Sequence, residues 1–582
     1  MKQSNLRSGK SFARRGLILA TRVAGWIVLI VASAGLGRAA ENTNIMVKPP
    51  PPGIPGGLGI FPVITSFTNT QNTATVQWFG LQGPFQLLYS SNANSNSWTP
   101  LGPLTFGSQV TVPLPAAAPP ETAFFRVRAG RPATGFVTNG TMNYVGFAIC
   151  ADCHGDTVDE WSQTAHATNA FPTLVRQGQQ DNPECLVCHT VGFGTPLGFK
   201  SEATTPHLAN VQCESCHGPA ANHIAVTRDP SVRPKVTMAS EVCGGCHNFH
   251  HLTYSAWKSS PHGTTNSVVS TEMLQQGTPT MMTCGPCHSG AVREALLEGF
   301  ELPSRIDAAF FPQTCGICHD AHAAMPNPPP DKPLNPQLRE PVYSTDFYSY
   351  APSTNLASFA SQYNPDIQTC GQCHNMRGAQ PSDTSRAPHH SPQYNMIIGQ
   401  TQPQETPQIG PHGSEIDTQC VHCHSAPLST TPPGPAEASS TNYFGHTFQV
   451  LFTACVECHI TTNAAIRAVT NTQAEIKMEI TNLVALLDTW STSKAPADLR
   501  AKYGTNTWEY TTPGDLTNPG DNPTAKGPTT AEQAAIPAAI KLARFNLYLV
   551  DFDASFGVHN GPYARYLLAV ARTNVNAELA KP

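Results

Sequence analysis

The cysteines of this chain occur in one repeated pattern, and that pattern limits what the chain can fold into. All 18 cysteines among the 582 residues belong to nine copies of Cys-x-x-Cys-His, with none left over. A disulfide scaffold would be short and would not place a histidine after every second cysteine. A zinc site would need a second cysteine or histidine pair for each motif. A thioredoxin-like redox motif would occur only once or twice.

Nine Cys-x-x-Cys-His motifs predict nine covalently attached c-type haems. In each motif, we expect the two thiols to form thioethers to the porphyrin and the histidine to be the proximal iron ligand. The attachment cysteines of motifs 1 to 9, in chain order, are Cys150 and Cys153, Cys185 and Cys188, Cys213 and Cys216, Cys243 and Cys246, Cys284 and Cys287, Cys315 and Cys318, Cys370 and Cys373, Cys420 and Cys423, and Cys455 and Cys458. The proximal histidines, in the same order, are His154, His189, His217, His247, His288, His319, His374, His424 and His459.

The first forty residues have the order of a secretory signal. A basic start ending at Arg22 precedes an apolar run at 23–36, and small residues at 37–40 precede Glu41. The apolar run is about 14 residues long, shorter than the roughly 20 needed to span a bilayer. We therefore expect residues 1–40 to be a signal peptide and the protein to be periplasmic or extracellular, with an uncleaved N-terminal membrane anchor as the alternative.

Composition divides the chain up to the last motif into three parts. Residues 41–57 are rich in proline and glycine and are expected to form a linker. Residues 58–130 contain no cysteine or histidine, and their short β-rich runs between turn residues predict a small all-β sandwich module. The nine motifs occupy residues 140–460, at roughly 35 residues per haem, which is too few for an ordinary apolar core around each one. We expect the porphyrins themselves to form much of that core.

The segment after the last motif, 461–582, is predicted to be helical. Apolar residues recur at helical spacing over 464–490, a polar Gly/Pro-rich stretch interrupts at 511–528, and 530–578 is typical of one or two long helices. The predicted fold class is therefore mainly α with extensive irregular loops, as in a multihaem cytochrome c. To this the sequence adds the small N-terminal all-β sandwich and the long C-terminal helices.

The first six motifs form an internal repeat. The cysteines that open motifs 1, 2 and 3 recur in motifs 4, 5 and 6 at offsets of 93, 99 and 102 residues. Trp161-x4-His166 follows motif 1 in the same way that Trp257-x4-His262 follows motif 4. We expect two tandem three-haem units, with a third after the Pro-rich joint at 326–341.

The sixth iron ligand determines what each haem can do. Histidine on both faces leaves the iron able only to pass electrons, whereas an open face can bind a substrate. Thirteen histidines lie outside the proximal set, which is enough for nine distal ligands. His166 and His262 are candidates because they repeat, and His223 and His322 are candidates because each closely follows a motif.

Short signatures in the second half, from about 284 to 577, occur in a recognisable order. They are CGICHDAHAA at 315–324, LREP at 338–341, HHSPQY at 389–394, GPHG at 410–413, GHTF at 445–448 and GVHN at 557–560. Together with motifs 5 to 9, this order resembles the ammonia-forming pentahaem nitrite reductases and the related octahaem hydroxylamine oxidoreductases. The first half would extend such a core with four further haems.

The resemblance assigns roles to individual residues. The catalytic haem of that family is the fifth from last, which here is motif 5 with His288, and His389 or His390 would be a proton donor in its open pocket. The distal ligands of the last four haems would be His322, His412, His446 and His559. The first four haems would take His166, His223, His262 and one of His207, His250 and His251. Asn375-Met376-Arg377 stand where the nitrite reductases have their active-site tyrosine, and the sequence offers no counterpart of their active-site arginine.

Two functions follow from the sequence. The first is an extracytoplasmic nine-haem cytochrome that transfers electrons through closely packed haems. The alternative is an oxidoreductase that acts on nitrite, hydroxylamine or a related small nitrogen or sulfur compound at an open haem bound by His288. Expected partners are redox proteins or a quinol-linked membrane donor, and a homo-oligomer is left open. A net charge of −5 and only 13% charged residues do not indicate a nucleic-acid partner.

Overall fold

The architecture is that of a computed structural model. Before residue 144, the structure describes only the strand segments given below and residue 101. From 144 onward, it describes the chain except for 235–238, 249–251, 265–268, 270–271, 274–275, 300–301, 303–311, 327–336, 427–444 and 523. His250 and His251 therefore lie outside the described residues.

In the described residues of the N-terminal part, seven short strands form two antiparallel sheets. The strand orders are β1-β7-β4-β5 and β2-β3-β6. The strands are β1 Leu29–Ala32, β2 Val63–Thr70, β3 Thr73–Phe79, β4 Phe85–Ser90, β5 Thr99–Pro100, β6 Gln109–Pro113 and β7 Thr122–Ala129. Strand β1 falls inside the apolar run that the sequence assigns to the signal peptide.

Alternation along the strands creates the small β core. In β3, Ala74 and Val76 are fully buried, whereas Thr75 bonds Thr111 across the partner strand β6 through their hydroxyls. This is the period-2 pattern that places every second side chain on one face of a sheet. Both sheets contribute to one apolar cluster of Ala74, Val76, Leu87, Val112, Phe125 and Val127.

Most α-helices between the β part and the last motif are short. Their bounds are Phe147–Trp161, Ala165–Thr168, Ala170–Arg176, Pro183–His189, Cys213–His217, Ala221–Ala225, Glu241–Gly244, Thr253–Ser259, Thr278–His288, Gly290–Leu297, Cys315–Cys318, Leu356–Ala360, Gln393–Ile398, Pro411–Ser414, Gln419–His424 and Val456–His459. Short 3-10 helices lie at Pro206–Leu208, Pro230–Val232, Pro261–Gly263 and Phe452–Cys455.

The Cys-x-x-Cys-His motifs themselves form single helical turns. The backbone N–H of the motif histidine donates to the carbonyl of the first cysteine in motif 4 (2.9 Å), motif 6 (2.9 Å) and motif 7 (2.8 Å). Such an i to i−4 bond closes one turn of helix. Both thiols and the imidazole therefore project from one compact turn, which is the geometry that attachment to a flat ring requires.

Long helices follow the last motif, as the apolar spacing predicted. They are Thr462–Ser493, Ala538–Phe552 and Gly561–Leu579, with the shorter Ala497–Tyr503 and the 3-10 helices Gly504–Trp508 and Glu532–Ala535 between the first two. The 32-residue helix begins where the Thr461 hydroxyl accepts a hydrogen bond from the N–H of Ala464 (3.1 Å). One face of this helix, including Ile476, Leu483 and Leu487, packs into the core shared with the other two long helices.

Two compact units are present. One contains residues 1–149 and 174–236, and the other contains residues 150–173 and 237–582. Motifs 2 and 3 belong to the first unit, and the other seven motifs belong to the second. Among the described residues, no helix is both long enough and apolar enough to cross a membrane.

Candidate haem-binding sites

Six of the motif histidines face a second histidine ring across a nearly constant gap. All six pairs lie in the second compact unit. The pairs, with the distance between ring centroids, are His247 and His166 (6.0 Å), His288 and His389 (6.1 Å), His319 and His446 (6.3 Å), His374 and His262 (6.1 Å), His424 and His559 (6.4 Å), and His459 and His412 (6.3 Å).

This gap fits one iron between two imidazoles. Two metal–nitrogen bonds of about 2.0 Å, each extended by about 1.1 Å from nitrogen to ring centre, place the centroids roughly 6.2 Å apart. A direct hydrogen bond between the two rings would shorten the separation to about 5.1 Å. His389 and His390, which stack on each other at 4.3 Å, show the contrasting geometry of rings in contact.

The cysteines also fit covalent attachment of haem. All eighteen lie in the described residues, and none of them forms a disulfide. Several thiols from different motifs lie within hydrogen-bond reach of each other: Cys287 and Cys373, Cys243 and Cys315, and Cys370 and Cys420. These contacts join motif 5 to motif 7, motif 4 to motif 6, and motif 7 to motif 8.

The described hydrogen bonds to the rings of the paired histidines are made at Nδ1. In such an arrangement the opposite nitrogen, Nε2, is directed at the metal. The described Nδ1 partners are the Val558 carbonyl for His412 (2.7 Å), the Phe448 carbonyl for His424 (3.0 Å), Gln393 Oε1 for His374 (3.3 Å), Ser391 Oγ for His389 (2.9 Å) and Asp553 Oδ1 for His559 (2.6 Å).

Motif 5 differs from the open pocket that the resemblance implied. His389 lies 6.1 Å from His288, the separation seen in the other five pairs. Ser391 fixes His389 there, because its hydroxyl contacts His389 Nδ1 and donates to the carbonyl of Asn375 (2.8 Å). His390 is exposed and stacks on the outer side of His389.

The surroundings of motif 5 disfavour positive charge on its histidines. Burial, followed by the Arg377 guanidinium, lowers the pKa of His288 to about 4. The same two causes lower the pKa of His389 to about 2. Arg377 is 8% exposed and donates from Nη2 to the Thr283 carbonyl (2.7 Å). Both rings are therefore neutral at physiological pH, which is the form that binds metal.

Two pairings differ from those expected from the sequence. His262 was expected to serve one of the first four haems, but it faces His374 of motif 7 and packs edge-on against Phe448 at 4.5 Å. His446 faces motif 6, whereas His322 is half exposed and lies 3.8 Å from Asp320. The helix of motif 6 ends at Cys318 and His319 is already extended, so helical spacing does not place His322 on the same face as His319.

Motifs 1 to 3 are described through their local contacts. His154 sits at a kink in the helix Phe147–Trp161, with φ −116° and ψ 40°. Glu214, inside motif 3, is 4% exposed and accepts hydrogen bonds from the N–H groups of Val145, Gly146 and Ala220. His223 Nδ1 is buried and has no hydrogen-bond partner among the described residues. A buried polar atom normally has a partner, so this nitrogen is available to a group that the chain itself does not supply.

His207 and His166 fall in different settings. The carbonyl of His207 accepts a hydrogen bond from Gln212 Nε2 (2.8 Å), on a 3-10 turn ahead of motif 3. His166 faces motif 4, in agreement with its expected place among the first four haems. His422, inside motif 8, bonds the Ala454 carbonyl through Nε2 (3.0 Å).

Comparison with known proteins agrees with the motifs. The family model described as cytochrome c554 and c-prime matches residues 149–218, which contain motifs 1 to 3. Cytochrome c-554 of Nitrosomonas europaea is 33% identical over 87 residues, or 12% of this chain and 37% of that protein. Multiheme cytochrome MtrA of Shewanella baltica is 24% identical over 279 residues, or 41% of this chain and 76% of that protein.

The chain is a multihaem c-type cytochrome. It spans about a third of the length of cytochrome c-554 and about three quarters of the length of MtrA. Two solved structures are similar at 17% identity. The outer cell wall cytochrome OcwA has a TM-score of 0.47, with 75% of this chain and all of that chain covered. The undecaheme S-layer cytochrome of Carboxydothermus ferrireducens has a TM-score of 0.43, with 76% and 70% covered.

Several buried residues around the haem motifs of this cytochrome were not predicted from the sequence. Arg293 and Glu340, whose side chains are 3% and 1% exposed, form an ion pair at 3.6 Å beside motif 5. Tyr363 and Thr369 donate further hydrogen bonds to Glu340, and Thr369 directly precedes motif 7. The LREP signature contains Glu340, but nothing in the sequence indicated that its partner lies 47 residues earlier.

Proposed function

We propose that this cytochrome is an extracytoplasmic electron-transfer protein that carries nine covalent haems. The observation that carries the proposal is the set of six histidine pairs at 6.0 to 6.4 Å, which includes motif 5. When bound, the haems supply iron centres that each carry one electron, and two imidazole ligands leave no iron position for a substrate. The residues of the chain bind, orient and enclose these groups.

Contacts between cysteines support close packing of the attachment sites. Neighbouring thiols join motif 4 to motif 6, motif 5 to motif 7, and motif 7 to motif 8. Motif 7 thus lies beside both motif 5 and motif 8.

The paired histidines are assigned as axial ligands on the same grounds. Motifs 4 to 9 would take His166, His389, His446, His262, His559 and His412 as distal ligands, in that order. This assignment changes the role of His389 from proton donor to ligand and leaves His390 outside the pair. His223 stays the candidate distal ligand in the first compact unit.

Location and partners rest on the sequence. The basic, apolar and small-residue order of residues 1–40 supports export, and attachment of c-type haem outside the cytoplasm agrees with it. Electrons would be exchanged with redox partner proteins or with a quinol-linked membrane donor. Neither the charge balance nor the composition indicates a nucleic-acid partner.

One observation favours the oxidoreductase as a second candidate. Arg377 Nε is buried and has no hydrogen-bond partner among the described residues, beside the gap between His288 and His389. A buried guanidinium nitrogen of this kind is a donor for an anion. For nitrite, hydroxylamine or a related compound to reach the haem of motif 5, His389 would have to leave its place opposite His288.

A pair of alanine variants tests the axial assignment. We expect His446→Ala to open the haem of motif 6 and to add a high-spin ferric signal in low-temperature EPR. His322→Ala is the matched control, because His322 follows motif 6 by sequence but is half exposed. We expect its spectrum to equal that of the wild type. A high-spin signal in the His322 variant, with none in the His446 variant, would refute the assignment.

A further inference from the structure

Asp553 is a buried carboxylate that contacts an axial histidine candidate directly. Its Oδ1 lies 2.6 Å from Nδ1 of His559, the partner of His424 in motif 8. Asp553 is 2% exposed, so water does not screen its charge effectively. The other four described Nδ1 contacts go to neutral groups, namely two backbone carbonyls, one amide and one hydroxyl.

The turn between the last two long helices brings Asp553 and His559 into contact. Asp553 caps the C-terminus of the helix Ala538–Phe552, and the chain reverses through Ala554 at φ 58°, Phe556 at φ 50° and Gly557 at φ 89°. A Cβ atom at Gly557 would lie 2.9 Å from the Ile476 side chain, so the close approach requires glycine there.

Ser555 completes a closed set of hydrogen bonds in the same turn. Its hydroxyl donates to Asp553 Oδ2 and accepts the backbone N–H of His559 (3.2 Å). Both carboxylate oxygens of Asp553 are therefore engaged, and the aspartate and the histidine have a fixed relative position. A residue fixed in this way acts on the electronic state of its partner as well as on its orientation.

We propose that Asp553 is a positioning and tuning residue that holds His559 by Nδ1–H and lowers the reduction potential of the centre at motif 8. A carboxylate that accepts the Nδ1 proton makes the imidazole a stronger electron donor, and its negative charge stabilises the ferric form. The inference rests on the proposed function, because it takes His424 and His559 as an axial pair.

The neighbouring sites supply the comparison. His374 of motif 7 contacts the neutral amide of Gln393, and His412, which faces motif 9, contacts the neutral carbonyl of Val558. Among motifs 7, 8 and 9, the described contacts therefore put a negative charge against motif 8 alone. The haem of motif 8 is accordingly the least readily reduced of these three. The haems of motifs 7 and 9 accept an electron more easily.

An isosteric substitution tests the charge without removing the side chain. We expect Asp553→Asn in the full-length holoprotein to raise the reduction potential of one haem, with a tenfold or larger change in its reduction equilibrium, which for one electron is about 59 mV. Spectroelectrochemical titration followed by EPR measures this change. The low-spin signals should persist, because asparagine leaves His559 in place.

The reciprocal variant is Gln393→Glu, which places a carboxylate against His374 of motif 7. We expect this change to lower the potential of one haem, opposite in sign to the effect of Asp553→Asn. A shift of the expected sign in each variant supports the proposal. Unchanged titrations in Asp553→Asn, with intact low-spin spectra, would overturn it.

His559→Ala distinguishes the tuning role of Asp553 from the assignment of His559 as an iron ligand. A new high-spin signal in that variant retains the axial pair, so that a null result with Asp553→Asn refutes the tuning role alone. An unchanged EPR spectrum in His559→Ala would instead refute the assignment of His559 as a ligand, and with it this part of the proposed function.

Discussion

At the scale of single residues, the backbone at Ile460 is strained directly after the motif histidine His459. Ile460 has φ 66° and ψ −44°, and the N–H of Thr461 donates to the carbonyl of His459 at 2.7 Å. These values define a γ-turn of the classic sign, which is rare and unfavourable for a β-branched residue. Its side chain is 87% exposed, so the protein packing of that side chain does not offset the strain.

We expect Ile460→Gly to stabilise the holoprotein by about 1 kcal/mol, because glycine adopts positive φ without a Cβ clash. Chemical denaturation followed by haem absorbance measures the free energy of unfolding. Val456→Gly is the matched control: Val456 is also exposed after an attachment cysteine but has φ −70°. Glycine should destabilise the protein there. A loss of stability in Ile460→Gly would mean that the bound porphyrin covers the isoleucine.

The sequence predicted the histidines that hold haem better than it predicted their pairing. His166 and His262 stood out because each follows a tryptophan at the same spacing, yet only tertiary packing brings His262 to His374, more than a hundred residues away. His322 stood out by proximity to motif 6, whereas the ring that faces His319 is that of His446. Distance along the chain does not encode which ring faces which across a gap of 6 Å.

At the scale of elements, the helix Ala538–Phe552 is buried along most of its length and carries a polar network. Tyr548 donates to Glu509 Oε1 (2.7 Å), and Arg544 Nη1 donates to the Glu509 carbonyl (2.7 Å). Burial raises the pKa of Glu509 to about 8, despite the hydrogen bond from Tyr548. The carboxyl is therefore protonated in the folded protein at neutral pH.

This raised pKa has a consequence for stability. Between the ordinary glutamate pKa of about 4.3 and the folded value, the folded protein keeps a proton that the unfolded chain releases. The free energy of unfolding should therefore fall as pH rises through this window, by up to about 1.4 kcal/mol per pH unit from Glu509. Asp551, whose pKa burial raises to about 7, contributes in the same direction.

We expect Glu509→Gln to weaken this pH dependence, because glutamine keeps an oxygen that accepts from the Tyr548 hydroxyl and has no titrating proton. Denaturation at several values between about pH 5 and pH 8 measures the slope for each protein. Glu532→Gln is the control, because the hydrogen bond from Lys502 lowers the pKa of the partly buried Glu532 to about 2, so that this carboxyl titrates outside the window. Equal slopes in the wild type and Glu509→Gln would contradict the account.

Helical periodicity explains why these elements were predictable. The expected helix over 464–490 is present as Thr462–Ser493, and the expected polar interruption at 511–528 separates it from the last two helices. The short turn Asp553–Asn560, by contrast, carries both the Asp553 carboxylate and His559, which it contacts. Its geometry depends on positive φ angles at Ala554 and Phe556, which neither residue type suggests.

At the scale of the whole molecule, the order of contacts between motifs differs from their order in the sequence. The repeat predicted tandem three-haem units, but motif 1 belongs to a different compact unit from motifs 2 and 3. Contacts between cysteines join motif 7 to motifs 5 and 8, although motifs 5 and 7 are separated by a whole motif along the chain. Haem-to-haem proximity is thus a property of packing, which the repeat alone does not reveal.

We propose that His389 occupies the position opposite His288 in motif 5, and that the molecule transfers electrons without an open catalytic haem there. Low-temperature EPR of the purified ferric protein, compared with its His389→Ala variant, tests this claim most directly. We expect the wild type to show no high-spin signal from motif 5, and the variant to gain one. A high-spin signal in the wild type that His288 substitution removes, together with turnover of nitrite or hydroxylamine, would contradict the account.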